Sequence, residues 1–404
     1  MQNEGLSALV LSQPETLSYA TATGTSPYVQ AVTDPEGRSL VFTYEANRLA
    51  SVSDPAGHVI RYAHLDDDLV SVTYASGEPT QATRTYHYNE AGQTDGLSMP
   101  HLLTGITDES GQRYASWGYD ERRRGVLSVH GDYTSGMIDR TTLAFNSDGT
   151  STITDSLGRT RSYSFDVHYH VARFAGLDAA CPSCANTTRQ RTYDGNGMPD
   201  VSTDFAGNQT DQDFNVRLLE TRRVEAANSP LSRRTLETDW LPNFRLPSAR
   251  RTLDAAGTQV ASTSWTYNTR GQVLTTTQTD PATGVTRTVT NRWCEQADVD
   301  AGTCPRVGLL LAVDGPRSDV VDVITYAYYP SDDAACTTAP TTCAHRKGDL
   351  WTVTNALGQS TETLAYDGAG RPLAVKDANG VITDFSYDAR GHLTLRKLRG
   401  NANA

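Results

Sequence analysis

A four-residue turn signature, D/N-x-x-G, returns along almost the whole chain and limits the fold more than any other feature. It runs from Asp34 to Gly37, Asp54 to Gly57, Asp108 to Gly111, Asp155 to Gly158, Asp204 to Gly207, Asp254 to Gly257, Asn355 to Gly358 and Asp377 to Gly380. A second form places tyrosine in front: Tyr88 to Gly92, Tyr193 to Gly197, Tyr267 to Gly271, Tyr366 to Gly370 and Tyr387 to Gly391. Toward the end the two forms alternate, with Gly358, Gly370, Gly380 and Gly391 spaced 12, 10 and 11 apart. The unit is therefore about twenty residues, two strand-plus-turn halves, a spacing typical of all-β chains. Asp or Asn opens each turn by bonding its side chain to the backbone two residues on. Glycine supplies the positive φ of a tight hairpin, and Pro35 and Pro55 preset the second turn position. These Asp residues read as turn chemistry, not as acids or bases.

Between turns the aromatics sit two apart: Phe42/Tyr44, Tyr86/Tyr88, Trp117/Tyr119, Tyr163/Phe165, Trp265/Tyr267, Tyr326/Tyr328 and Phe385/Tyr387. Period two puts both rings on one strand face. Neighbouring strands are expected to align them in a ladder that dominates cohesion, with Thr, Ser and Asp on the other face. A sugar- or base-stacking platform is the alternative use of such rows. Helix is expected to be scarce, and Asp213 to Ala227 reads as strand and turn.

The chain has 404 residues, a net charge of −12 and a pI near 5.2. An acidic surface repels phosphate, which argues against nucleic acid as a partner; Arg122, Arg123 and Arg124 read as a solvated turn. No apolar run reaches the ~18 residues of a membrane helix. Met1 to Gln13 lacks a basic region and does not read as a signal peptide. The cysteines fall in three close pairs, Cys181/Cys184, Cys294/Cys304 and Cys336/Cys343. They read as local disulfide staples in an oxidising compartment; reduced thiols and zinc are the alternatives, and the unequal spacings disfavour a four-cysteine metal site.

No nucleophile–base set or nucleotide-binding loop is evident, so no catalytic, cofactor or metal residue is nominated. His168 and His170 would share a strand face but lack a third ligand. Asp66, Asp67 and Asp68 read as a solvated turn rather than a calcium loop.

The alternating Tyr-Asp-x-x-Gly and Asp-x-x-Gly elements resemble those of RHS (YD-repeat) proteins. Tyr387 to Leu393 and Tyr366 to Leu373 carry the core motif. Asp204 to Asn208, Trp240 to Pro247 and Asp314 to Arg317 resemble further segments of bacterial RHS proteins of the polymorphic-toxin kind. The resemblance spans about Val32 to Arg399. It implies an antiparallel β-strip winding into an open or partial hollow shell, a cocoon, that is chemically inert and encloses or delivers a C-terminal toxin. No toxin-like segment follows the repeats here, so the chain is expected to be a fragment of a longer gene, or a truncated or displaced one. The pair Asp34 to Gly37 and Asp54 to Gly57 superficially resembles the family's self-cleaving cap, but lies at the start of the array and reads as ordinary turns. The implied partners are the rest of the shell, the enclosed toxin, secretion-system components or cell-surface glycans; the implied location is secreted or at the cell surface. The alternative function is an adhesive or carbohydrate-binding array. Four regions are expected: an unplaced segment 1–31, regular repeats 32–170, divergent repeats with cysteine-bearing loops 171–350, and regular repeats 351–404.

Overall fold

The computed structural model describes residues 16–19, 28–132, 138–179 and 188–401. Over these the chain is all-β and antiparallel, strand following strand from Thr16–Tyr19 to Leu393–Asn401. Among the described residues helix is confined to Gln296–Asp300 and a 3-10 turn at Ala334–Thr337. Two compact units emerge. One joins Met1–Arg84 to Val289–Ala404, and the other is Thr85–Thr288.

Within each unit strands pair with their chain neighbours. In the first, Ser39–Glu45 pairs with Arg48–Ser53, which pairs in turn with Val59–Leu65. In the second, Pro247–Leu253, Gln259–Tyr267 and Val273–Thr279 follow the same meander. Two kinds of connection alternate. The D-x-x-G loops are one kind. The other is a two-residue turn, as at Ala46 and Asn47, with φ of 48° and 65°. Positive φ at both central residues matches the right-handed twist of the flanking strands, which is why this turn joins hairpins.

Few side chains are fully buried. In the first unit the Cys294–Cys304 disulfide and Leu311 form a small core, against which Val299, Leu309 and Tyr328 pack. In the second, Met99, Val129 and Val224 are buried alongside the polar Thr94, Thr104 and Ser116. Most paired rings, such as Phe42 with Tyr44 and Trp265 with Tyr267, are half-buried, and Phe165 is exposed. Cohesion is shared with polar contacts between facing strands. Thr33 bonds Ser39 at 2.7 Å, Thr43 bonds Ser51 at 2.7 Å, and Thr266 bonds Thr275 at 2.6 Å. Each such cross-strand pair contributes about 0.2–1 kcal/mol.

Candidate functional site

The recurrent local geometry is the turn. The Asp34 carbonyl accepts from Gly37 N at 3.0 Å, and Asp34 Oδ1 accepts from Arg38 N at 2.8 Å. Asp54 repeats this with Gly57 and His58. Asp155, Asp254 and Asp377 accept both two and four residues on. Asp204 takes Asn208 N at 2.8 Å. The glycines at 37, 57, 158, 207, 370, 380 and 391 all have positive φ, between 75° and 92°. The bond to the fourth residue is the part sequence reasoning missed; it closes the loop from one strand end to the next. Where that residue is Arg, its guanidinium returns to the same carboxylate: Arg38 to Asp34, Arg159 to Asp155 and Arg371 to Asp367, each at 2.7 Å. The signal was available as D-x-x-G-R.

The tyrosines have a second role that the aromatic period does not reveal. In six of them the hydroxyl donates to a backbone carbonyl of an earlier strand, in five cases at that strand's first residue. Tyr44 reaches Val29 O at 2.9 Å, Tyr119 reaches Leu103 O at 2.6 Å, and Tyr193 reaches Phe174 O at 2.6 Å. Tyr267 reaches Pro247 O at 2.7 Å, Tyr328 reaches Leu310 O at 2.8 Å, and Tyr366 reaches Leu350 O at 2.5 Å. Trp240 takes the same place, its indole N–H meeting Glu220 O at 2.8 Å. Strand register shifts at this residue in case after case, at Tyr44, Trp240, Tyr267, Tyr328 and Tyr366. A bulge bends the strand and re-aims its side chain. Burial pushes the Tyr328 hydroxyl up to about 12, and it also raises Tyr366 and Tyr267.

Two disulfides are formed, Cys294–Cys304 and Cys336–Cys343, and all four of these cysteines are buried. Cys181 and Cys184 lie outside the described residues. The two histidines do not share a strand face. His168 ends its strand beside the Tyr193 ring, whereas His170 sits in a two-residue turn at φ 64°. Asp66 and Asp67 form a turn, and Asp67 pairs with Arg48.

A polar groove in the second unit is lined by Asp213, Arg222, Glu237, Asp239, Trp240 and Arg251. Its charges satisfy one another: Arg222 meets Asp213 at 3.2 Å and Arg251 meets Asp239 at 2.7 Å. Deeper in that unit, Arg113 forks onto Glu90 at 2.6 and 3.1 Å, and Thr104 donates to Glu90 at 2.6 Å. Among the described residues no group of three or more His, Cys, Asp or Glu is placed to hold a metal ion, and no helix is long and apolar enough to cross a membrane.

The RHS Repeat family model matches residues 366–402. No curated protein matches the sequence. Among solved structures, the TcdB2-TccC3-Cdc42 crystal structure aligns with a TM-score of 0.47 at 11% identity, over 91% of this chain and 22% of that one. A Tc holotoxin pore of Photorhabdus luminescens aligns with a TM-score of 0.45 at 12% identity, again over 91% and 22%. The chain thus spans about a fifth of the length of either structure.

Proposed function

From the premise that the chain carries RHS repeats, we propose that it is a structural wall: a segment of a hollow shell that encloses or delivers a toxin lying outside these residues. The supporting observation is the anchor that recurs six times from Tyr44 to Tyr366, a hydroxyl tying one strand to an earlier one. Such a contact gives the repeats that carry it the same role, and the charged groups of the groove at Arg222 and Arg251 are used on each other. In this reading the Asp, Gly and Tyr residues of the repeats are architectural. The regions 32–170 and 351–404 are regular wall, and 171–350 is divergent wall carrying the cysteines. The protein acts outside the cell that makes it, where disulfides persist. The test is electron microscopy of the product of the complete gene, with protease challenge of any enclosed polypeptide. A hollow particle that protects its content until denatured supports the reading; a solid or filamentous particle with a protease-accessible tail overturns it.

A second reading, adhesion to glycans, is favoured by aromatic rings that present an exposed surface. Tyr169 is 69% exposed and Trp351 is 38% exposed. Glycan-array binding lost in Y169A or W351A would support it.

A further inference from the structure

In the first unit, three segments distant in sequence converge on one loop. The Cys336–Cys343 disulfide closes that loop, and both cysteines are buried, at 9% and 3% exposure. Gly368, in the Asp367–Gly370 turn, shows how close the approach is. A methyl group there would collide with the Thr341 carbonyl oxygen of the loop and lie 2.9 Å from the Pro55 carbonyl oxygen. Thr341 also borders Gly57 of the Asp54 turn. The loop is fastened to the later repeats by Tyr366 N donating to Ala344 O at 2.7 Å. Its distal end carries a buried ionic clasp. Arg346 Nη2 donates back to Pro340 O at 2.9 Å, and Arg346 N donates to Asp349 Oδ2 at 2.8 Å. Asp349 Oδ1 in turn receives Arg38 Nη1 at 2.9 Å, and Arg306 pairs with Glu36. Arg38 and Asp349 are only 14% and 5% exposed at their side chains.

We propose that the Cys336–Cys343 loop is a redox latch: while oxidised it holds the Asp34 and Asp54 turns against the repeats around Asp367, and thiol reduction releases them. The bridge restricts the loop's conformations, and only a restricted loop keeps Thr341 wedged between two turns and Asp349 presented to Arg38. Release consumes two thiols from a small dithiol reductant. One attacks a bridge sulfur, and the displaced cysteine leaves as a thiolate and takes a proton. The second thiol then completes the exchange, leaving Cys336 and Cys343 reduced and the reductant as its own disulfide. The latch belongs to this unit alone and stands whether or not the wall encloses a cargo.

Hydrogen exchange of the full chain, with and without dithiothreitol, tests it. Reduction is expected to speed exchange across residues 34–58 by roughly tenfold or more, as a released segment opens locally, while Thr85–Thr288 is unchanged. C336S/C343S should show the fast exchange without reductant, and adding dithiothreitol to it should change residues 34–58 no further. G368A, which wedges the same junction apart with the bridge intact, should also open residues 34–58. Faster exchange confined to residues 333–349 makes the bridge a local staple and overturns the latch. So does a further effect of reductant on C336S/C343S, or loss of protection throughout the chain. If the cysteine variant does not fold, the comparison of oxidised and reduced natural protein decides between the same outcomes.

Discussion

Tyrosine, rather than phenylalanine, stands at these positions because its hydroxyl donates to a backbone carbonyl of an earlier strand. Y366F keeps the ring, which is 7% exposed, and removes the hydroxyl's bonds to Leu350 O and the Thr363 side chain. A loss of about 1 kcal/mol in urea unfolding is expected, the usual net contribution of a hydrogen bond. Tyr328 adds a pH signature. Burial raises it from 10.0 to about 12, so its contribution is complete below pH 10 and fades as pH climbs through 12. Y328F should remove that part of the alkaline loss of stability, read from thermal midpoints across the range. Backbone strain gives the opposite kind of prediction. Leu218 holds the position that glycine fills in other turns, with φ at 57° and 44% exposure, while Asn215 accepts from Leu219 N at 3.1 Å. A left-handed non-glycine residue costs about 1 kcal/mol. L218G should therefore stabilise the protein by about 0.5–1 kcal/mol, and G257A, at φ 83°, should destabilise it by a similar amount. Unchanged stability in both would show that these turns relax around the substitution.

At the scale of elements, the strands and D-x-x-G turns were legible because glycine and aspartate do local work, and local work leaves a local pattern. At Arg123 and Leu218 the turns were legible too, but not the positive φ that each reaches without glycine. The tyrosine anchors were half legible. The period of two announces a face, but the carbonyl a hydroxyl reaches lies 15 to 20 residues away, as in Tyr44 to Val29 and Tyr267 to Pro247, and the bulge that aims it has no letter code. The network around Glu90 was invisible, being assembled from a loop and two strands. It titrates in a defined direction. Burial pushes the Glu90 carboxyl up, yet the bonds from Arg113 and Thr104 prevail and hold it below its ordinary value. Burial, and then the Arg113 charge, lower His87. Both folded values are depressed. His87 stays neutral in the fold, so stability is fully present above its unfolded value of 6.5 and begins to fall below it. The Glu90 contribution is present above 4.5 and is lost as pH falls through its lower folded value. Acidification from pH 7 should thus weaken the Thr85–Thr288 unit in two stages, and E90Q should flatten the second in a pH series of thermal midpoints. An unaltered acid limb in E90Q would place the loss elsewhere.

For the molecule as a whole, sequence distance hides the contacts that count. Arg38 and Asp349 are 311 residues apart, and nothing in either neighbourhood names the other. The same limit applies to edges. The strand Leu393–Asn401 pairs with Val381–Tyr387, and among the described residues it contacts no other strand. It exposes Leu393, Leu395 and Leu398 at 53%, 50% and 66%. An uncovered strand presents a row of backbone donors and acceptors to any strand that approaches, including one from another copy. Arg396 and Lys397 lie along the same edge and place like charges opposite each other when two copies meet. Hydrophobic gain and backbone pairing therefore work against charge repulsion, and salt decides the balance, because exposed charges are screened beyond about 10 Å at 0.1 M. The chain is expected to self-associate at micromolar concentration, more strongly as salt rises. L395K and L398K should shift it toward monomer by removing apolar contact and adding charge. Light scattering of the natural chain across a salt series is the measurement. Monodisperse monomer at every salt concentration would mean that the edge is already protected, and the two lysine variants would then leave the particle size unchanged.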